Sequence, residues 1–392
     1  MSPSPLTLRV DADPAALPLD AWNALLAAAE QPTPFMRLEY LRALQSSGSA
    51  TAETGWQAQF LSVWQGQDLR AACPAYLKSH SYGEYVFDWA WADAYQRHGL
   101  AYYPKLLVAV PFTPVPGSRL LACDAAARGL LMQGLQALAE QQRLSSAHLL
   151  FGAAAEQELA AAQGWMQRQG VQFHWHNRMP APYASFEDFL ASLQREKRKK
   201  IQQEQRKVRE AGIVFEALQG QAIGAADWDF FYRCYARTYR AHHSTPYLTR
   251  EFFRTMGATM TDNWLLFIAK RDKDGGGSER VAASLIALDP ARGQAYGRYW
   301  GAVEPIPCLH FDACYYQPLT WCIAQGYRCF EGGAQGEHKM ARGLLPVATH
   351  SSHWLAHPDF SGAVADFLAR EGQAMRGYID ELEEHQPFKR PG

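Results

Sequence analysis

No two cysteines of this sequence are spaced as CxxC, and the seven present (Cys73, Cys123, Cys234, Cys308, Cys314, Cys322, Cys329) are odd in number. Zinc-ribbon and thioredoxin-type motifs are thereby excluded, and reduced core thiols are the expectation. No apolar run approaches the roughly 18 residues of a membrane-crossing helix. The opening MSPSPLTLRVDAD has neither a basic nor an apolar signal region, so the protein reads as cytoplasmic with no membrane span. Charge of one sign is missing as well, the net value being -1. A polyanionic partner would therefore have to meet a local patch. His350, His353 and His357 have loose metal-like spacing but no cysteine beside them, and no metal site is expected.

What is there is an ordinary globular composition, 48% hydrophobic and 20% charged, over 392 residues. A single core stops growing near roughly 250–300 residues, so two domains are expected, 1–180 and 181–392. Apolar spacing predicts helices at 19–29, 37–44, 88–103, 125–142 and 154–162, and strands at 6–10, 57–64, 69–78, 105–110, 147–151 and 171–176. The second half predicts one long charged helix over 186–211, closed by Gly212, then helices at 228–240, 249–260 and 309–325, the last interrupted by Pro318. Strands are expected at 213–218, 264–271, 281–288, 294–300 and 328–331. The fold class is α/β with mixed sheets.

An echo joins the halves. Phe87-Asp88, Tyr102-Tyr103 and a strand at 105 match Phe311-Asp312, Tyr315-Tyr316 and a strand at 328. Beyond each strand come Gly117-Ser-Arg-Leu-Leu and Ala341-Arg-Gly-Leu-Leu, and duplication is the reading. A helix that starts where two strands part offers free N–H groups to an anion, beside a cleft that admits an extended acyl group. That arrangement resembles the core of the GNAT acyltransferase fold.

The richest run is Glu331-Gly-Gly-Ala-Gln-Gly-Glu-His-Lys-Met-Ala-Arg342. Gly332 and Gly333 permit close backbone approach to a bound group. Glu337 or His338 would act as general base toward an amine. Gln335, Lys339 and Arg342 would hold a carboxylate or phosphate, or steady an oxyanion. Asp312 and His310 open the 309–325 helix, where Asp312 favours the positive helix end or meets substrate. Tyr299 and Trp300 lie on a strand on which 296, 298 and 300 share one face; core packing is the plain reading, and a proton donor at Tyr299 the sharper one. In the first half Asp88 and Trp91 sit among tryptophans and charges that suit either a ligand cleft or a buried interface. From Arg195 to Arg209 there are eight basic and two acidic residues, a solvated face or a patch for tRNA.

PFMRLEYLRAL (34–44), YVFDWAWADAYQRHGLAYYPKL (85–106), VPFTPVPGSRLL (110–121), LHFDACYYQ (309–317) and GGAQGEHKMARGLLPVATHSSHW (332–354) resemble the FemAB-like predicted N-acyltransferases of bacteria, from about 30 to 385. The resemblance implies two tandem GNAT-like domains and transfer of an acyl or aminoacyl group from coenzyme A or aminoacyl-tRNA to a small-molecule or peptide amine, with no permanently bound cofactor. It also implies a pyrophosphate loop, for which Arg298-Tyr-Trp-Gly301-Ala-Val303 is the match, with valine where a small residue is usual. Three functions follow: transfer from acyl-CoA, transfer from aminoacyl-tRNA, and a non-catalytic ligand-binding protein on the same scaffold.

Overall fold

Chain contacts divide the molecule differently from a linear split at residue 180. In the computed structural model, which describes residues 4–272, 277–333 and 336–389, one unit is Met1–Gly170 with Ala348–Tyr378. The other is Val171–Val347 with Ile379–Gly392. A stretch near the C-terminus thus returns to the first unit.

The first unit runs β1 (Leu6–Asp11), α1 (Leu19–Ala27), α2 (Leu38–Ser46), β2 (Trp56–Ala58), β3 (Phe60–Gln65), β4 (Asp68–Cys73), β5 (Ala75–Lys78), α3 (Trp89–Arg97), β6 (Lys105–Val108), β7 (Leu121–Ala122), α4 (Ala125–Gln141), β8 (Ser146–Leu150) and α5 (Ala154–Ala162). β9 (Met166–His176) then leads into the second. The two expected hairpin strands are each broken in two. β3 pairs with β4 in a small sheet of order β1-β3-β4-β7, while β2 pairs with β5 in another. Pro74 explains one break, having no N–H for the ladder. Asp124 caps α4 by accepting from the Ala127 N–H at 2.8 Å, and Leu131, Met132 and Leu135 of that helix pack on Leu61, Val63 and Leu106. Helix α3 ends far short of 103, because Gly99 takes a positive φ of 70° just beyond it.

In the second unit the expected helix over 186–211 is two, α6 (Phe186–Ser192) and α7 (Arg195–Glu210). The intervening Leu193 is extended and bridges Phe388, and the Gln194 N–H donates to the Pro387 carbonyl at 2.8 Å. A partner almost 200 residues away in sequence sets the break. There follow β10 (Ile213–Gln219), α8 (Ala225–Ala241), α9 (Arg250–Thr259), β11 (Trp264–Asp272), β12 (Ser278–Asp289) and β13 (Gln294–Ala302). A continuous helix then comprises α10 (Leu309–Phe311), a π-helical turn (Asp312–Tyr316) and α11 (Gln317–Ala324), before β14 (Cys329–Glu331). Pro318 does not end this helix. It brings no N–H to the turn before it, and the π turn absorbs the missing bond.

β10 to β13 form an antiparallel meander, β13 pairs parallel with β14, and β14 antiparallel with β9. The last elements are β15 (Leu345–Leu355), whose later half pairs with β8, and α12 (Pro358–Glu384). Leu355, Val364 and Leu368 close over Trp91, Tyr95 and Tyr102 in the first unit.

Both units thus contain a parallel pair joined through a helix, β6–α4–β8 and β13–α10/α11–β14. The echoing words do not occupy matching places. The strand at 105 is β6, antiparallel to β5, whereas the strand after Tyr316 is the second member of its parallel pair. By topology the counterpart of the 309–324 helix is α4, not the segment after Asp88.

Candidate active site

The parallel pair β13–β14 is joined only where 294–296 face 329–331. Beyond Tyr296 the strand continues to Ala302 while β14 gives way to Gly332, so the two part into a wedge. A bulge sharpens the bend: Ile286 pairs with Gly297 and Leu285 with Tyr299, leaving Arg298 as the extra residue. The same bulge interrupts the simple alternation expected over 296–300.

Gly332 lies so close to Leu344 that a β-carbon there would meet its Cδ2 at 2.4 Å. Lys339 donates from Nζ to the Gly333 carbonyl at 2.9 Å and is only 4% exposed. Burial pushes its ammonium down to about 8. Beside it the Cys314 thiol is pushed up to about 12 by burial and contacts Ser284.

His310 stacks edge-on with Trp300 (5.5 Å) and Tyr315 (5.9 Å). Tyr315 Oη lies 3.4 Å from Nε2 of the exposed His338. The His310 residue reaches the surface, yet its ring is desolvated by the side chains around it, which pushes the imidazole down to about 4, with His338, Arg342 and Lys339 acting in the same direction. His338 is lowered too, first by burial and then by Arg342 and Lys339. Both rings are therefore neutral, proton-accepting groups at pH 7.

Arg342 is engaged within the protein. Its Nη2 donates to both Glu204 oxygens at 2.9 Å, and its Nη1 to the His338 carbonyl at 2.7 Å. The guanidinium lies 3.6 Å over the Phe311 ring, and Tyr316 donates to the same Glu204 carboxylate. It holds the 337–342 turn against α7, whereas the sequence suggested a residue waiting for an anion. Glu204 itself was not anticipated. A carboxylate on the apolar stripe Ile201, Glu204, Val208 was the available signal, since such a position is buried only with a partner.

Asp312 accepts from Gln317 Nε2 at 2.9 Å, and burial pushes its carboxyl up to about 6. Its surroundings are α7 and the Gln317 side of a cleft of about 510 Å³ lined by Phe186, Gln205, Arg209, Gln317 and Thr320 among others. Helix α7 buries Ile201, Glu204 and Val208 and exposes Arg195, Lys199, Lys200, Arg206, Lys207 and Arg209.

The structure thus gathers Trp300, His310, His338, Lys339, Arg342, Gly332 and Gly333 about one wedge. Glu337 lies exposed on the same turn. Tyr299 points instead into an aromatic core, 5.3 Å from Tyr235 and 5.7 Å from Phe253. Arg298 and Gly301 are not in a strand-to-helix loop but in β13. Gly301 is required there because a β-carbon would meet the Cys234 carbonyl oxygen of α8 at 2.0 Å. The true connection, 303–308, reads Val-Glu-Pro-Ile-Pro-Cys. Gln335 lies outside the described residues.

Asp88 and Trp91 belong to a buried network of the first unit. Lys105 donates to Asp88, to Glu84 at 2.8 Å and to Ser81 at 2.8 Å. Burial alone would raise Asp88, but the Lys105 ammonium holds its carboxyl well below the usual range; burial pushes Glu84 up to about 7. Trp91 meets His353 edge-on at 5.0 Å.

A family profile, FemAB-like, described as peptidoglycan biosynthesis/recognition, matches residues 14–390. Among solved structures, FemX is similar with a TM-score of 0.55 at 10% identity, over 89% of this chain and 98% of that one. L-PGS from Bacillus licheniformis gives 0.53 at 11% identity, over 89% and 96%. At such identities the likeness is one of fold. No curated protein sequence matches.

Proposed function

Since the chain belongs to the FemAB-like family of peptidoglycan biosynthesis/recognition proteins and is an acyltransferase, we propose that it transfers an aminoacyl group from aminoacyl-tRNA to the amine of a peptide. The observation that carries this reading is the 303–308 connection. A coenzyme A pyrophosphate is held by consecutive free N–H groups between strand and helix. Here Pro305 and Pro307 have no N–H, and the Val303 N–H already donates to the Val281 carbonyl at 2.8 Å. The exposed basic side of α7 supplies what a polynucleotide donor needs instead.

In this reading the acceptor amine enters the wedge and attacks the ester carbonyl carbon. The neutral His338 imidazole takes the amine proton. Lys339 faces the oxyanion, and the ester C–O bond breaks as the ribose hydroxyl leaves with a proton from Lys339. The products are an amide and a free tRNA 3′ end; His338 then gives its proton to solvent and Lys339 takes one up, so atoms and charge balance. Positioning and oxyanion stabilisation carry the rate, since the ester is already activated.

The test is amide formation on an amine-bearing peptide with charged tRNA or acyl-CoA as sole donor, at two salt concentrations. Turnover with charged tRNA that falls steeply with salt is expected, and fourfold replacement of Lys199, Lys200, Arg206 and Lys207 by Gln should flatten that slope. Turnover with acyl-CoA and no binding of tRNA would overturn the donor assignment.

A further inference from the structure

β9 and β14 pair so that His176 faces Cys329 and His174 faces Glu331. Side chains alternate along a strand, so the two histidines share one face of β9 and the thiol and carboxylate share the matching face of β14. Trp175 and Phe330, between them, are fully buried on the other face. One potential ligand atom from each of His174, His176 and Cys329 lies within 4.8 Å of the others. Glu331 Oε2 is 3.9 Å from His174 Nε2. We propose that this cross-strand patch is a binding site for a divalent cation of the zinc class, with His174, His176 and Cys329 as ligands and Glu331 as the fourth.

The donor set suits such an ion: two imidazoles, a thiolate and a carboxylate are ligands that zinc takes in fours. Bonds of about 2.0–2.3 Å place tetrahedral donors some 3.5 Å apart, so the spacing closes onto an ion by side-chain rotation. Charge balances as well. When the Cys329 S–H gives its proton to solvent and the S–metal bond forms, thiolate and carboxylate together cancel the dication, which a buried position demands. His174, Cys329 and Glu331 are buried and His176 is exposed, which gives the ion a way in. A search for CxxC passes over the site because its ligands stand as His-x-His and Cys-x-Glu on strands far apart in sequence. An ion here would tie β14 to β9 immediately before Gly332 and so hold the floor of the wedge.

The untagged full chain, stripped with chelator, is titrated with Co²⁺ and, separately, Zn²⁺. One equivalent of Co²⁺ with a thiolate-to-metal charge-transfer band is expected, absent in Cys329→Ser and retained in Cys123→Ser. Zn²⁺ should raise the melting temperature of the wild type and not of Cys329→Ser. The exposed His176→Gln, which leaves the core intact, should weaken Zn²⁺ binding by at least the roughly 10–100-fold that loss of an outer-shell partner costs. A missing thiolate band, a band that survives Cys329→Ser, or unchanged Zn²⁺ affinity in His176→Gln would each overturn the site.

Discussion

Lys339 is the residue on which the wedge chemistry turns, and its titration has a definite sign. The side chain ordinarily holds its proton to about 10.5 but releases it near 8 in the folded protein. Between these values the unfolded chain binds the extra proton, so stability rises as pH climbs from about 8 to about 10.5, by up to roughly 3 kcal/mol. Lys339→Met should flatten this rise in a melting series, and should cut turnover by about the 10²–10³ that loss of one oxyanion donor costs. Glu204 offers a second test. Glu204→Gln leaves Arg342 buried without its carboxylate, and a loss of about 3–5 kcal/mol in denaturant titration is expected. Adding Arg342→Met should recover part of it. The Glu331–Arg342 run was legible because glycines and titratable groups coincide there. The Glu204–Arg342 pair was not, since 138 positions separate its members and no local pattern joins them.

Among the elements, those with strong periodicity stand where the sequence put them: α4, α8, β11, β12. Breaks were misjudged where a distant segment sets them, as at Leu193 with Phe388, or where a bulge re-aims a strand, as at Arg298. β15 and α12 went unread. Gly301 separates a packing role from a phosphate-binding one. Gly301→Ala must push α8 off β13 and should cost about 1–3 kcal/mol by overpacking, read as a lower melting temperature. An unchanged melting temperature with weakened donor binding would restore the loop reading.

For the molecule as a whole, the sequence supplied the fold class but not the path of the chain. A linear boundary at 180 cannot show that Ala348–Tyr378 belongs with the first unit. That return makes a prediction. A fragment of residues 1–180 keeps β6 beside β8 but lacks its other partner strand, β15, and the Leu355, Val364 and Leu368 cover of Trp91 and Tyr95. It should expose apolar surface to a hydrophobic dye and show no cooperative melt, whereas the full chain melts cooperatively.

The interleaving also orders events during synthesis. The first unit waits for residues up to Tyr378, and the second for the stretch in which Pro387, Phe388 and Lys389 meet Gln194, Leu193 and Ser192. While the ribosome is still adding those residues, both halves have apolar faces left open. A nascent chain of this protein therefore keeps apolar surface open to chaperones until the stretch that carries Phe388 has emerged.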